Sequence, residues 1–193
     1  NYPLIHAVGR ASSRTPRMIC LRWGNKNDKH ISLVGKGVCF DTGGVQIKPH
    51  GAMQSMKKDM GGAAHMLALS EMIMSSKLPI FLSLWLAVCD NSVSASSFLP
   101  GDVYKARNGL SVEIGHTDAE GRLILADLLS ACCEEKPDCV IDYATLTGAQ
   151  RVALGMDIPS VFSNNASLSE SLCQISQEND DWLWPLPLYF PYV

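Results

Sequence analysis

The stretch I-S-L-V-G-K-G-V-C-F-D-T-G-G, Ile31 to Gly44, reads as a buried β-strand that runs into a glycine-broken turn. Its apolar run is interrupted by one lysine, Lys36, held between Gly35 and Gly37, and it closes on Asp41. Working outward, Met60 to Ser75 (MGGAAHMLALSEMIMS) changes to a spacing of three and four residues between apolar positions, which predicts a helix packed on the sheet. The run from Leu78 to Val88 (LPIFLSLWLAV) is the next strand. A loop containing LPGDVYKARNG, a short strand near SVEI, and a helix from about Gly121 to Glu135 follow. DCVIDYATL then reads as a core strand, GAQRVALG as a helical turn, SVFSN as a further strand and Ser167 to Gln177 as a helix. This alternation predicts an α/β fold, a three-layer α/β/α arrangement with a central mixed, largely parallel sheet covered on both faces.

Composition sets the outer bounds. With 193 residues, 47% hydrophobic and 18% charged, the chain can bury one sizeable core, and one globular domain is the expectation. A net charge of -3, with acidic and basic residues interspersed, gives no footprint for nucleic acid or for an anionic membrane surface. The seven cysteines (20, 39, 89, 132, 133, 139 and 173) are odd in number, contain no C-x-x-C pair and lie mostly in apolar runs. They predict buried free thiols in a reducing, cytoplasmic setting rather than a disulfide framework. The most apolar run, Leu78 to Cys89, is too short to span a bilayer, and the N-terminus carries no signal-peptide pattern. The aromatic and proline-rich WLWPLPLYFPYV at the other end would leave much apolar surface at a free terminus, so the chain is expected to be part of something longer.

Three chemistries compete for Asp41. An aspartic-protease dyad needs two D-T-G loops sharing a proton, and one is present. A phosphate-cradling loop needs glycines that open a helix directly after the strand, whereas V-Q-I-K-P reads as extended. A metal site draws support from downstream, where Lys48, Asp59, Asp118, Glu120 and Arg122 recur at places where loops follow strands. Ligands of open α/β sheets bind outside the carboxyl ends of strands, so these carboxylates are expected to converge on one crevice. They would repel one another there unless neutralised, and two divalent ions would do so. In extended chain Asp118 and Glu120 project to one side, with Arg122 continuing the row. Lys36 and Asp41, five apart, need a bend at Gly35 and Gly37 to meet one ion. A lysine buried beside a cation would lose its proton and donate nitrogen. Each residue also has an ordinary reading: a turn aspartate, a helix-capping Glu120, a surface ion pair for Lys36. Those readings leave unexplained why acidic residues sit beside glycine pairs at separate places.

Together VGKGVCFDTGG, IKP, MKKDMGGAAH, PGDV, ARNG, TDAEGRLILAD and ATLTGA, in that order between about Leu33 and Asn164, resemble the leucyl aminopeptidase (cytosol aminopeptidase) family of dizinc exopeptidases. WLWPLPL extends the match more weakly. The resemblance implies a metal-dependent aminopeptidase that releases N-terminal residues, leucine-like ones included, from peptides by two-metal hydrolysis. It implies that Lys36, Asp41, Asp59 and Glu120 hold the tighter ion and Asp41, Asp118 and Glu120 the more exchangeable one, Asp41 and Glu120 bridging. Lys48 falls on the family's catalytic lysine and Arg122 on its catalytic arginine, which holds bicarbonate as general base. Met56, Thr145 and Gly148 fall along the substrate pocket. The lysine nitrogen suits Zn2+, and the oxygen-rich second site accepts Mn2+, Mg2+ or Co2+.

The resemblance also implies that residues 1–193 are a partial catalytic domain, with the family's N-terminal domain and the end of its catalytic domain outside, and that the full-length protein is a cytoplasmic homohexamer. His116 stands where many members have asparagine and is either a donor behind the ligands or a packing residue of the loop. His65 is expected to be a satisfied core histidine and Cys39 a buried structural thiol. Two alternatives from other classes are a catalytically silent scaffold and a DNA-binding relative. The intact set of Lys36, Asp41, Lys48, Asp59, Asp118, Glu120 and Arg122 speaks against the first, and the balanced charge against the second.

Overall fold

Alternate residues of one strand feed two separate cores, and the layers follow from that division. In the computed structural model, which describes residues 1–192, the chain forms two compact units, Asn1–Leu146 and the segment from Thr147 onward. The first contains, in order, α1 (Pro3–Gly9), β1 (Arg17–Trp23), β2 (Lys29–Asp41), α2 (His50–Met53), α3 (Gly61–Ser75), β3 (Ile80–Asn91), β4 (Val103–Lys105), β5 (Ser111–Glu113), α4 (Glu120–Glu134) and β6 (Cys139–Tyr143). On β2, Leu33 joins a core with Ala63, Met66 and Ile73 of α3. Its neighbour Val34, with Val38, joins the opposite core with Leu4, Ile5 and Val8 of α1 and Ile124 and Leu128 of α4. Along β3, Leu82, Leu84 and Leu86 face the first core, while Trp85, Ala87 and Cys89 face the second. Each such fully buried aliphatic side chain contributes roughly 1.5–3 kcal/mol relative to exposure.

The sheet has four strands in the order β1-β3-β2-β6. β2 runs parallel to both β3 and β6, and β1 adds antiparallel to β3 at one edge. A mixed, largely parallel α/β sheet with helices on both faces is therefore present, as the alternation predicts. The register of β2 on β3 slips once. Val38 pairs with Cys89 but Asp41 with Asn91, so three steps on one strand match two on the other. This bulge corrects the bend expected at Gly35 and Gly37, which keep ordinary negative φ. Those two glycines serve close approach instead. A Cβ on Gly35 would lie 2.7 Å from Ala63 Cα, and one on Gly37 would lie 2.6 Å from Ala87 O.

Several elements differ from expectation. α1, β1 and β4 were not legible. β4 pairs antiparallel with β5 across a turn in which Gly109 takes a φ of 86°, so the loop-like VYK is a strand. The predicted strand DCVIDYATL stops at Tyr143, because A-T-L leaves the sheet toward the site described below. Cys39 is exposed, as is Cys133, and three of the seven thiols are buried; all seven are free. His65 is also exposed rather than in the core. Its Nδ1 bonds to Gly61 O at 2.7 Å and its ring stacks on Tyr143 at 4.9 Å between centroids.

The second unit contains α5 (Ala149–Leu154), β7 (Ser160–Val161), α6 (Ala166–Glu178) and β8 (Trp184–Pro185), with β7 and β8 parallel. The side chain of Asn165 caps α6 by accepting from Leu168 N at 3.1 Å. Among the described residues no helix is long and apolar enough to cross a membrane.

The start of α3 is pressed against the end of β6. A Cβ on Gly62 would stand 2.0 Å from Tyr143 O, a backbone atom that side-chain motion cannot relieve. Gly62→Ala is therefore expected to destabilise the full-length protein by about 1–3 kcal/mol, read as a lower urea midpoint at unchanged m-value. Gly51→Ala, where a Cβ meets nothing within 4 Å, is expected to be neutral or mildly stabilising.

Candidate metal centre

At the carboxyl ends of β2, β3 and β6, the sequence delivers its charged residues from separate loops. Lys36 and Asp41 come from β2 itself. Asp59 closes the 3-10 turn Met56–Lys58 just before α3, Asp118 lies in the turn before α4, and Glu120 is the first residue of that helix. The helical start corrects the extended row expected for Asp118, Glu120 and Arg122. Glu120 turns inward at 1% exposure and Arg122, also in the first turn, points to solvent. A carboxylate in the first turn is favoured by the unpaired N–H groups of the helix start.

Lys36 is 2% exposed, an uncommon state for a lysine, and three groups surround its ammonium. Nζ donates to Asp59 Oδ1 at 3.0 Å and to Thr145 O at 3.1 Å, and it lies 2.9 Å from Glu120 Oε1. Thr145 Oγ1 donates to the same Asp59 oxygen at 2.8 Å. The lysine stem runs across Gly121, where a Cβ would fall 2.8 Å from Lys36 Cε, so the glycine of A-E-G-R makes room for it. Lys48 repeats the arrangement nearby. Its Nζ lies 2.9 Å from Asp41 Oδ2 and 2.5 Å from Asp118 Oδ1. Four carboxylates thus face two ammonium groups, and three of the four, Asp41, Asp59 and Glu120, are buried.

The titration behaviour follows from that burial. Desolvation pushes the Glu120 carboxyl up to about 7, opposed by Lys36 and reinforced by Asp41. Asp59 is raised by burial against the pull of Lys36. Burial disfavours the charge on Lys36, but Glu120 and Asp59 outweigh it and the net direction is upward. Lys48 moves the same way, Asp118 and Asp41 outweighing its desolvation. Lys36 therefore stands as an ammonium here, and a cation among the carboxylates would have to displace its proton before the nitrogen could ligate.

The residues fit a divalent cation. Asp41, Asp118 and Glu120 each offer an oxygen, and these atoms lie within 4.8 Å of one another. Both oxygens of Glu120 are buried; Oε1 is paired with the Lys36 ammonium at 2.9 Å, while Oε2 accepts no hydrogen bond among the described residues. A buried carboxylate oxygen left as Oε2 is here is unfavourable unless a further donor or cation completes it, and hard oxygen donors beside one amine suit a divalent ion.

Of the remaining predicted residues, Met56 is half-buried on the 3-10 turn that leads to Asp59, and Thr145 is drawn in through its bond to that aspartate. Arg122 makes no hydrogen bond or ion pair among the described residues, and Gly148 lies in the second unit, at the start of α5. His116 is exposed and its Nδ1 accepts from Asp118 N at 3.1 Å, shaping the turn that carries that aspartate.

Sequence reasoning missed a polar clasp behind the carboxylates. Thr117, fully buried, donates to Gly43 O at 2.7 Å and accepts from Gln46 N at 3.1 Å, while Thr117 N donates to Gln46 Oε1 at 2.7 Å. Asn91 donates to Asp41 Oδ1 and to Thr117 O. The available signal was the position of Asn91 at the carboxyl end of a strand, where ligand-directed groups collect.

Glu120→Gln removes one negative charge from a set of oxygens within 4.8 Å of one another. Because burial holds the Glu120 carboxyl up at about 7 even with Lys36 beside it, its charge costs stability above neutral pH and a neutral amide relieves that cost. In chelator above neutral pH this variant of the full-length protein is expected to unfold at higher temperature than wild type, by about 1 kcal/mol, while binding divalent ions less tightly. Thermal melts with chelator and with Zn2+ check the two opposite directions.

The sequence model of the cytosol aminopeptidase family, catalytic domain, matches residues 1–192. A Chlamydia abortus protein named "Probable cytosol aminopeptidase" is 45% identical over 192 residues, which make up 98% of this chain and 38% of that protein. The crystal structure of a cytosol aminopeptidase from Coxiella burnetii superposes with a TM-score of 0.96 at 51% identity, covering 99% of this chain and 42% of that one. A leucine aminopeptidase of Caenorhabditis elegans superposes with a TM-score of 0.94 at 38% identity, covering 98% and 39%. The chain thus spans about two fifths of the length of these relatives.

Proposed function

Because the chain belongs to the cytosol aminopeptidase family, we propose that it forms the hydrolytic centre of a metal-dependent aminopeptidase that removes N-terminal residues from peptides. The observation that carries this reading is the grouping of Asp41, Asp118 and Glu120, with oxygens within 4.8 Å of one another, around a Glu120 that is 1% exposed and whose Oε2 accepts no hydrogen bond among the described residues. The scaffold and DNA-binding alternatives are not favoured, since every charged residue the chemistry needs is present and the net charge is -3.

Lys36, Asp41, Asp59 and Glu120 would hold one ion, and Asp41, Asp118 and Glu120 a second. Zn2+ fits the site with the amine ligand, and Zn2+, Mn2+, Mg2+ or Co2+ the all-oxygen one. When bound, such ions supply Lewis acidity toward the substrate's amine and carbonyl and a water acidic enough to react at neutral pH. The chain's own groups do the rest. Lys48 places an ammonium beside Asp41 and Asp118, where it would stabilise negative charge growing on the carbonyl oxygen. Arg122 presents an unpaired guanidinium fork suited to a small planar anion such as bicarbonate, which would accept the proton of the attacking water. Thr145 and Met56 border Asp59 by hydrogen bond or in sequence, and they would contact the substrate's first side chain. Residues 1–193 would be part of the catalytic domain of a longer, cytoplasmic, homohexameric protein.

The test uses the full-length protein and a leucine anilide. Hydrolysis is expected to vanish with chelator and to return with Zn2+ or Mn2+. Asp118→Ala is expected to lose one of two ions and most of the activity, and chelator-resistant activity, or two ions surviving that substitution, sinks the reading. Lys48→Ala is expected to lower kcat about 10²–10³-fold at unchanged metal content, which element analysis of the purified variant checks.

A further inference from the structure

Asn91, the last residue of β3, has no accessible surface, and its amide joins two loops that approach the site from different parts of the chain. Nδ2 donates to Asp41 Oδ1 at 2.8 Å and to Thr117 O at 3.0 Å. An oxygen in its place would face two acceptors, so the amide orientation is fixed by its partners. The backbone of Asn91 is anchored independently: its carbonyl accepts from Thr42 N at 3.0 Å and from Thr42 Oγ1 at 2.7 Å. The side chain is thus a strut of fixed origin, with one nitrogen shared between the exit of β2 and the residue that precedes Asp118.

Its effect on Asp41 is directional. Oδ1 of Asp41 accepts from both Gly43 N, at 2.9 Å, and Asn91 Nδ2, while Oδ2 faces Lys48. With one oxygen occupied by two donors, the other is the one presented to the carboxylate cluster. Asn91 Oδ1 itself has no hydrogen-bond partner among the described residues. A residue kept only to fill space would not retain a buried, unpaired carbonyl, so the amide is held for what its nitrogen does.

We infer that Asn91 is a positioning residue of the centre: its shared nitrogen sets the spacing of the Asp41 and Asp118 carboxylates, and with it the affinity for the ion that both would hold. The inference rests on the metal reading above. Removal of such a support behind a ligand lowers metal affinity about 10- to 100-fold.

Full-length wild type, Asn91→Ala and the milder Asn91→Ser are freed of metal with chelator and titrated with Zn2+ and with Mn2+ by calorimetry. The Co2+-loaded forms are followed by visible absorption, and melts in chelator report the fold. Wild type is expected to take up two ions. Both variants are expected to melt within about 5 °C of wild type in chelator, to keep the tighter ion, and to bind the weaker one about 10- to 100-fold less tightly with an altered Co2+ band. Equal affinities in wild type and a folded variant overturn the role of Asn91 alone. Loss of the fold in both variants makes Asn91 a structural residue and overturns it too. A wild type that takes up no divalent ion overturns the metal reading, and this inference with it.

Discussion

A lysine ammonium buried in the middle of a parallel strand is the constraint on which the rest of the site depends. Lys36 cannot be left alone at 2% exposure, because a desolvated charge without partners would be lost to its neutral form. Its partners come from three places distant in sequence: Asp59 before α3, Glu120 at the start of α4, and the backbone of Thr145 after β6. Satisfying one amine therefore fixes where two helices begin and where one strand ends. The close contacts around it follow from the same demand. Gly121 clears the lysine stem, and Gly62 lets α3 approach β6 so that Asp59 and Thr145 meet.

The same centre is a poor place to look for stability. Four carboxylates and two ammonium groups crowd together, Glu120 is driven up to about 7 by desolvation, and its Oε2 accepts no hydrogen bond among the described residues. An apolar cluster of similar volume would cost less to bury. The two hydrophobic cores on either face of the sheet supply the offset: Leu33, Leu82 and Leu84 on one side, Val34, Ile124 and Leu128 on the other, each at 1% exposure or less. The separation is spatial as well as chemical, with apolar residues filling the flanks of the strands and charged ones gathered at their carboxyl ends.

How much of this the sequence disclosed depends on the range of the interactions. The central strands and the long helices were legible because period-two and period-three-to-four spacing are local, and α3 and α4 fall within a residue of the expected limits. The convergence of Lys36, Asp41, Asp59, Asp118 and Glu120 was legible as a set, since carboxylates beside glycines have few other uses at the ends of buried strands. Its geometry was not. D-x-E fits an extended row and a helix start equally well, and only the packing of Leu123, Ile124 and Leu128 into the core decides for the helix. Asn91 and Thr117 escaped notice because each looks like any polar loop residue until the fold brings them within hydrogen-bond reach of Asp41 and Gln46. α1 was missed for a related reason. Its first N–H groups, on Leu4 and Ile5, are accepted by the buried carboxylate of Asp127, more than a hundred residues away, and no local capping residue announces the helix.

The bulge between Val38 and Asp41 gives β2 two phases along its length. Up to Val38 the strand keeps the beat that sends Leu33 to one core and Val34 to the other; past it the beat is offset by one residue. The wall of the protein and its chemistry are thus written in different frames on one strand. The extra residue between these two carries information that no single side chain does: with the same sequence paired in a regular ladder, Phe40 rather than Asp41 would stand opposite Asn91.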